Sequence, residues 1–256
     1  MEPAPPGLLD SLRSRRAVRR WRRAAAAARD MPVADLARLV PQARAVALHA
    51  GEIVRAAERR LGAARGAAAG HPPHCDWVWR PAPWAEALDP PVVAGPAGGH
   101  VLAPGVALFH DCPLRETTLR QLRATRPGAP FAIEIDAFGF DGGFLSMALD
   151  LPDAALGGFH PGQLVGLEVR LEQERPAGAY ARLNLRHGPN TEQLVSDLHP
   201  PAQSSDPRRA EFDLGTLDFN PARLDKAWID LILDRPGMNR IRIDDVVASR
   251  RPRAEL

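Results

Sequence analysis

Asn184, Arg186, His187 and Asn190 stand together in the block LNLRHGPN. If this block is a strand running into a turn, Asn184 and Arg186 share the face opposite Leu183 and Leu185. His187 then ends the strand, and Gly188-Pro189-Asn190 turns the chain. Amide, guanidinium and imidazole groups beside a turn can hydrogen-bond a polar ligand, although a solvated sheet face has the same composition. Trp77 and Trp79, in DWVWRPAPW, point to one side of an extended segment. There they can stack on sugar rings or, as such Trp/Pro segments more often do, pack across a sheet together with Trp84. Trp228 sits in a strongly apolar run and reads as core, or as facing the helical region.

Carboxylates form a second set. Asp136 and Asp141 flank a strand end and turn, and Asp230, Asp234, Asp244 and Asp245 fall near the last strands. A pair of them can serve as general acid and base or hold calcium, but turn capping and solvation use the same residues. Strict alternation places Asp244 and Asp245 on opposite faces. His71, His74 and Cys75, with His110 and Cys112 further on, are zinc-type ligands, but their spacing fits no finger or ribbon. The expectation is therefore no metal, no cofactor and no assigned catalytic residue. Walker, Rossmann, HExxH, GxSxG and EF-hand patterns are all absent. Lys226 is the one lysine, which argues against phosphate-cradling and internal-aldimine chemistry.

The third set is basic. Arg13, Arg15, Arg16, Arg19, Arg20, Arg22 and Arg23 surround Trp21, and Arg16, Arg19, Arg20 and Arg23 fall on one helical face. Such a helix can lie on an anionic membrane surface or, less favoured here, on nucleic acid. Usage tempers the signal, since every basic residue except Lys226 is arginine. Distribution restores part of it: the chain carries a net +2, yet residues 1–65 hold 14 Arg against 6 acids and the remainder is net acidic.

The elements that must position these groups can be read from periodicity. Residues 8–29 carry Leu8, Leu12, Val18, Trp21, Ala25 and Ala28 at helical spacing. Asp30 and Pro32 open a second helix, whose stripe from Leu36 to Leu61 suits a helical hairpin or short coiled coil, with a kink or break at Pro41. Residues 66–105 read as a Pro/Gly-rich linker bearing the Trp segment. From Val106 the period becomes two, as in Phe131/Ile133/Ile135, Leu167/Val169/Leu171 and Ile229/Leu231/Leu233. Turn blocks such as FDGG, ERPAG, HGPN and RPGMN separate about nine such runs, the pattern of an antiparallel sandwich.

The last of these runs, MNRIRIDDVVASRR, resembles the closing strand of jelly-roll carbohydrate-binding modules. Longer blocks, ALFHDCPLRETTLRQLR, FGFDGGFLSMALDLP, ARLNLRHGPNTEQLV and WIDLILDRPGMNRIRIDDVVASRRPRAEL, resemble a bacterial family classed only as a domain of unknown function. The first resemblance implies a jelly roll and no particular sugar; the second implies no activity.

The reading is α+β: a basic helical region (1–65), a linker (66–105) and a jelly-roll-like antiparallel β-sandwich (106–256). A non-catalytic binding or scaffolding module for a carbohydrate or a protein leads. A glycan hydrolase using a pair among Asp136, Asp141, Asp230 and Asp244 is one alternative. A homo-oligomerising structural protein tethered by its basic helix is another. The two cysteines make no disulfide framework, no apolar stretch is long enough to span a bilayer, and the arginine-bearing start lacks the order of a signal peptide. A cytoplasmic location, peripheral to the inner membrane if the helix binds lipid, is the expectation.

Overall fold

A computed structural model describes residues 8–68, 74–126, 128–203 and 206–253. The chain divides into two units near Ala57. The first holds α1 (Leu8–Ala27) and the start of α2 (Val33–Ala68). The backbone N–H groups of Asp35 and Leu36 donate to the Pro32 carbonyl, which starts α2 where the sequence places a proline. No break occurs at Pro41: α2 runs through it. Ala, Leu, Arg and Gln on both sides favour helix strongly enough to carry the missing N–H. Among the described residues the helices also form no packed hairpin. Every described side chain from 15 to 54 is exposed or half-buried. A stripe built largely of alanine offers little apolar area to bury.

The second unit is an antiparallel β-sandwich. Its elements are β1 (Trp77–Trp79), α3 (Ala82–Ala85), β2 (Val92–Ala94), β3 (His100–Ala103), β4 (Val106–His110), β5 (Thr117–Arg123), β6 (Phe131–Ala137) and β7 (Phe144–Asp150). There follow α4 (Asp153–Leu156), β8 (Gln163–Gln173), β9 (Ala179–His187), β10 (Asn190–Asp197), β11 (Arg208–Asp213), β12 (Leu224–Asp234) and β13 (Asn239–Pro252). One sheet runs β11-β8-β13-β6-β5-β2, with β1 beside the far half of β13; the other runs β10-β9-β12-β7-β4-β3. Between them lie Ile133, Ile135, Leu167, Val169, Ile241 and Val246 from the first sheet. Leu145, Met147, Leu149, Leu183, Ile229 and Leu231 face them from the second. These are the inward members of the alternating runs, so the period-two pattern sets the core.

Residues 66–105 are not a linker throughout. β1, β2 and β3 join the two sheets, and α3 drops Trp84 fully into the core, where its indole Nε1 donates to the Ile243 carbonyl at 2.9 Å. Strands of three or four residues are too short to display an alternation, which is why their membership is not readable from the chain.

A second difference concerns Asp244 and Asp245. Ile243 and Val246 both enter the core, and the β13–β8 register shifts between Ile243 and Asp245. This bulge turns both aspartates away from the core, against the expectation of opposite faces. Arg242 Nε meets Asp244 at 2.7 Å, and Arg80 Nε meets Asp245 at 2.8 Å. The outer face of this seven-stranded sheet carries further such pairs, among them Arg120 with Glu134 and Asp136, and Arg240 with Asp136.

Candidate functional site

The outer face of the six-stranded sheet is different. Neighbouring strands there place short side chains side by side: Ala107 on β4 opposite Ala148 on β7, with Ser146 opposite Phe109. The resulting hollow forms a cleft of about 510 Å³. Val101 and Phe109, on β3 and β4, border one side, and Phe144 stands at the end of β7. Phe109 and Phe144 are 44% and 39% exposed, so their rings are open to a ligand. On β12 and β9 stand Lys226, Trp228, Asp230 and Arg182. Trp228 is half-exposed and lines the cleft, so it is not a core residue. Ala227 and Ile229 on either side of it point inward, and alternation turns the indole out.

The charges in the cleft are paired. Arg182 Nη2 and Nε donate to Asp230 Oδ2 at 2.8 and 3.1 Å. Lys226 Nζ meets Asp150 at 2.9 Å and lies 5.5 Å from the centre of the Trp228 ring, a cation–π distance. Beneath them Asn184 is fully buried. Its Nδ2 donates to Asp230 Oδ2 at 3.0 Å, and its Oδ1 accepts from Gln193 Nε2 at 3.0 Å. β10, β9 and β12 thus brace one carboxylate through a chain of amides.

The four residues read from LNLRHGPN are therefore split. Asn184 supports the cleft from below. Arg186 shares its face but pairs with Asp225 at 3.1 Å, outside the lining. That hydrogen bond holds the Asp225 carboxyl below its usual range. His187 lies on the inner side, edge-on to Phe219 at 6.3 Å, and Asn190 is exposed in the β9–β10 hairpin. Trp77 and Trp79 do share a side, stacked 6.3 Å apart, but they lie on the other sheet and pack against the core. Arg16, Arg19, Arg20 and Arg23 are exposed on α1, with the Arg20 guanidinium 5.9 Å from the half-buried Trp21 ring.

The cleft residues Trp228, Arg182, Lys226, Asp150, Phe109 and Phe144 were not singled out as a site from the sequence. The available signal was the outward half of the run WIDLILD, which puts an indole and a carboxylate on one face.

The carboxylates of the hydrolase alternative are spread over both sheets and a loop. Asp230 lies on the outer face of one sheet and Asp136 on that of the other. Asp141 sits in the β6–β7 loop, accepting from Cys112 Sγ at 3.0 Å, and Asp244 is tied into the bulge. Among the described residues no three His, Cys, Asp or Glu side chains converge as metal ligands. His110 Nε2 is bonded to the Pro96 carbonyl at 2.8 Å, while His74 and Cys75 line a separate hollow beside Glu168 and Arg209. His71 lies outside the described residues.

The fold is a β-sandwich with a cleft of about 510 Å³ on the outer face of the six-stranded sheet and a hollow of about 520 Å³ beside Glu168 and Arg209 on the other sheet. The chain belongs to the family of unknown function DUF6478, matching it over residues 1–256. No curated protein resembles it in sequence. Among solved structures it is similar to the family 11 carbohydrate-binding module of the Clostridium thermocellum cellulosomal cellulase Lic26A-Cel5E, at 13% identity over 61% of this chain and 92% of that one, with a TM-score of 0.37. A cyclase from Fischerella sp. TAU is similar at 10% identity over 64% and 90%, with a TM-score of 0.39. The enzymatically active domain of tailspike protein 4 of bacteriophage CBA120 is similar at 9% identity and a TM-score of 0.37; the match takes in 60% of this chain and only 21% of the tailspike. Such distant likenesses carry nothing about ligands, and function is read from the cleft itself.

Proposed function

We propose that the sandwich is a non-catalytic binding module and that its ligand is a neutral glycan lying in the cleft between Phe109 and Trp228. The supporting observation is Trp228: a half-exposed indole on an outer sheet face, beside a floor of alanine and serine that leaves room for a ring. Sugar rings present apolar C–H faces to such aromatics and hydroxyls to their surroundings. A hydroxyl both donates and accepts, so it suits a site where each cation stands next to a carboxylate. The two pairs, Arg182–Asp230 and Lys226–Asp150, cancel in charge. A neutral polyol therefore fits better than an acidic one, which would face two fixed carboxylates.

The test is a glycan-array screen of the full chain, with titration calorimetry on any hit and Trp228→Ala as the comparison. Specific binding that Trp228→Ala weakens at least tenfold supports the reading. A blank array from wild-type protein with an intact unfolding transition, or binding that Trp228→Ala leaves unchanged, overturns it.

A further inference from the structure

α1 has no acidic residue between Asp10 and Asp30. Arg15, Arg16, Arg19, Arg20, Arg22 and Arg23 are all exposed. At about 100° per residue they cover roughly half of the helix circumference. Arg16 and Arg20, and Arg19 and Arg23, are spaced i,i+4 and repel one another. In the sandwich many arginines are answered: Arg80, Arg120, Arg182, Arg209, Arg240, Arg242 and Arg251 each face a carboxylate. Codon usage can explain why these cations are arginine, but not the absence of any acid from residues 11–29.

The other half of α1 carries Ala17, Val18, Trp21 and Ala24. Val18 is 67% exposed and Trp21 half-buried. A nucleic-acid duplex would attract the arginines and leave Val18 and Trp21 in water. A bilayer takes both halves, since arginine stems extend toward the phosphates while tryptophan settles at headgroup level. No helix among the described residues is long and apolar enough to cross a membrane, so α1 would lie along the surface.

We propose that α1 docks the protein on an anionic lipid bilayer, a function independent of the cleft. The attraction is electrostatic and therefore screened by salt, because the Debye length falls from about 10 Å at ~0.1 M to about 3 Å at ~1 M.

The experiment is co-sedimentation of the full chain with vesicles of phosphatidylglycerol and phosphatidylcholine, and with phosphatidylcholine alone, at both salt concentrations. A DNA-binding assay runs in parallel. The expected result is partition onto the anionic vesicles only, lost at high salt. Each arginine near the surface contributes roughly fivefold, so R16Q/R19Q/R20Q/R23Q lowers partition by several hundredfold. R16K/R19K/R20K/R23K keeps the charge and most of the binding, and Trp21→Ala lowers it severalfold. Circular dichroism of each variant checks that α1 remains helical. Three results overturn the proposal: no partition at low salt, equal partition of the glutamine variant, or tight DNA binding with the vesicles ignored.

Discussion

The amide of Asn184 on β9 donates to the carboxylate of Asp230 on β12 at 3.0 Å, and both side chains are buried, at 0% and 6% exposure, beneath an otherwise open sheet face. Asn184 is thus a support for the cleft and not one of its walls. Asn184→Ala removes one partner from a buried charge and one from Gln193. A stability loss of about 1.5–3 kcal/mol is expected, read as a lower denaturation midpoint at unchanged m-value. An unchanged midpoint would show that the amide chain contributes nothing.

Trp228→Ala separates binding from folding. The indole is half-exposed, so its removal costs much less stability than a core truncation. Glycan affinity falls at least tenfold, about 1.4 kcal/mol or more. Thermal unfolding measured beside calorimetry checks both halves; a large fall in Tm would place the ring in the core after all.

Lys226 offers a chemical handle, because an amine-reactive reagent can reach only it and the chain's N-terminal amine. Its ammonium lies between Asp150 and the Trp228 ring. A glycan that occupies the cleft slows its labelling, as read by peptide mass mapping. Equal labelling rates with and without a bound glycan would put the ligand elsewhere.

Asp111, directly after β4, ties the end of that strand to the β6–β7 loop and the start of β7. Its carboxylate accepts from the Gly143 N–H at 3.1 Å and the Phe144 N–H at 3.3 Å, and the Gly143 bond is the main cause of a carboxyl held below the ordinary aspartate value of 3.8. A depressed folded-state value means stabilisation that is present above 3.8 and lost as pH falls through the lower value. Wild type and Asp111→Ala therefore differ by a constant amount near neutrality, and the difference shrinks below about pH 4. A difference that persists into strong acid would contradict this. Phe144, whose N–H this carboxylate holds, lines the cleft, so glycan affinity weakens over the same range.

Trp84 joins residues 66–105 to the core. Trp84→Ala costs about 3–5 kcal/mol. Trp84→Phe keeps most of the packing but orphans the Ile243 carbonyl, for about 1–3 kcal/mol. If neither variant shifts the unfolding midpoint, α3 is not part of the cooperative unit.

How much was legible differs from element to element. Ile229, Leu231 and Leu233 could be assigned to a core face because a strand's side chains alternate at fixed period, whatever its neighbours. The same rule misplaced Asp245, because one inserted residue resets the alternation and leaves no mark on composition. Asn184 and Arg186 were correctly put on one face, but the rule could not tell a support beneath a cleft from a residue beside it.

Helices before sandwich, the inward half of each long strand and the concentration of arginine in α1 were all legible along the chain. These follow from local periodicity and charge, which no distant contact can alter. Where a ligand could sit depends instead on how the strands are ordered in the sheet. Lys226 meets Asp150 across 76 residues and Arg182 meets Asp230 across 48, because β12 lies between β7 and β9. Period two tells each residue whether it faces in or out. It does not tell which strands lie adjacent, and a cleft is made of adjacency.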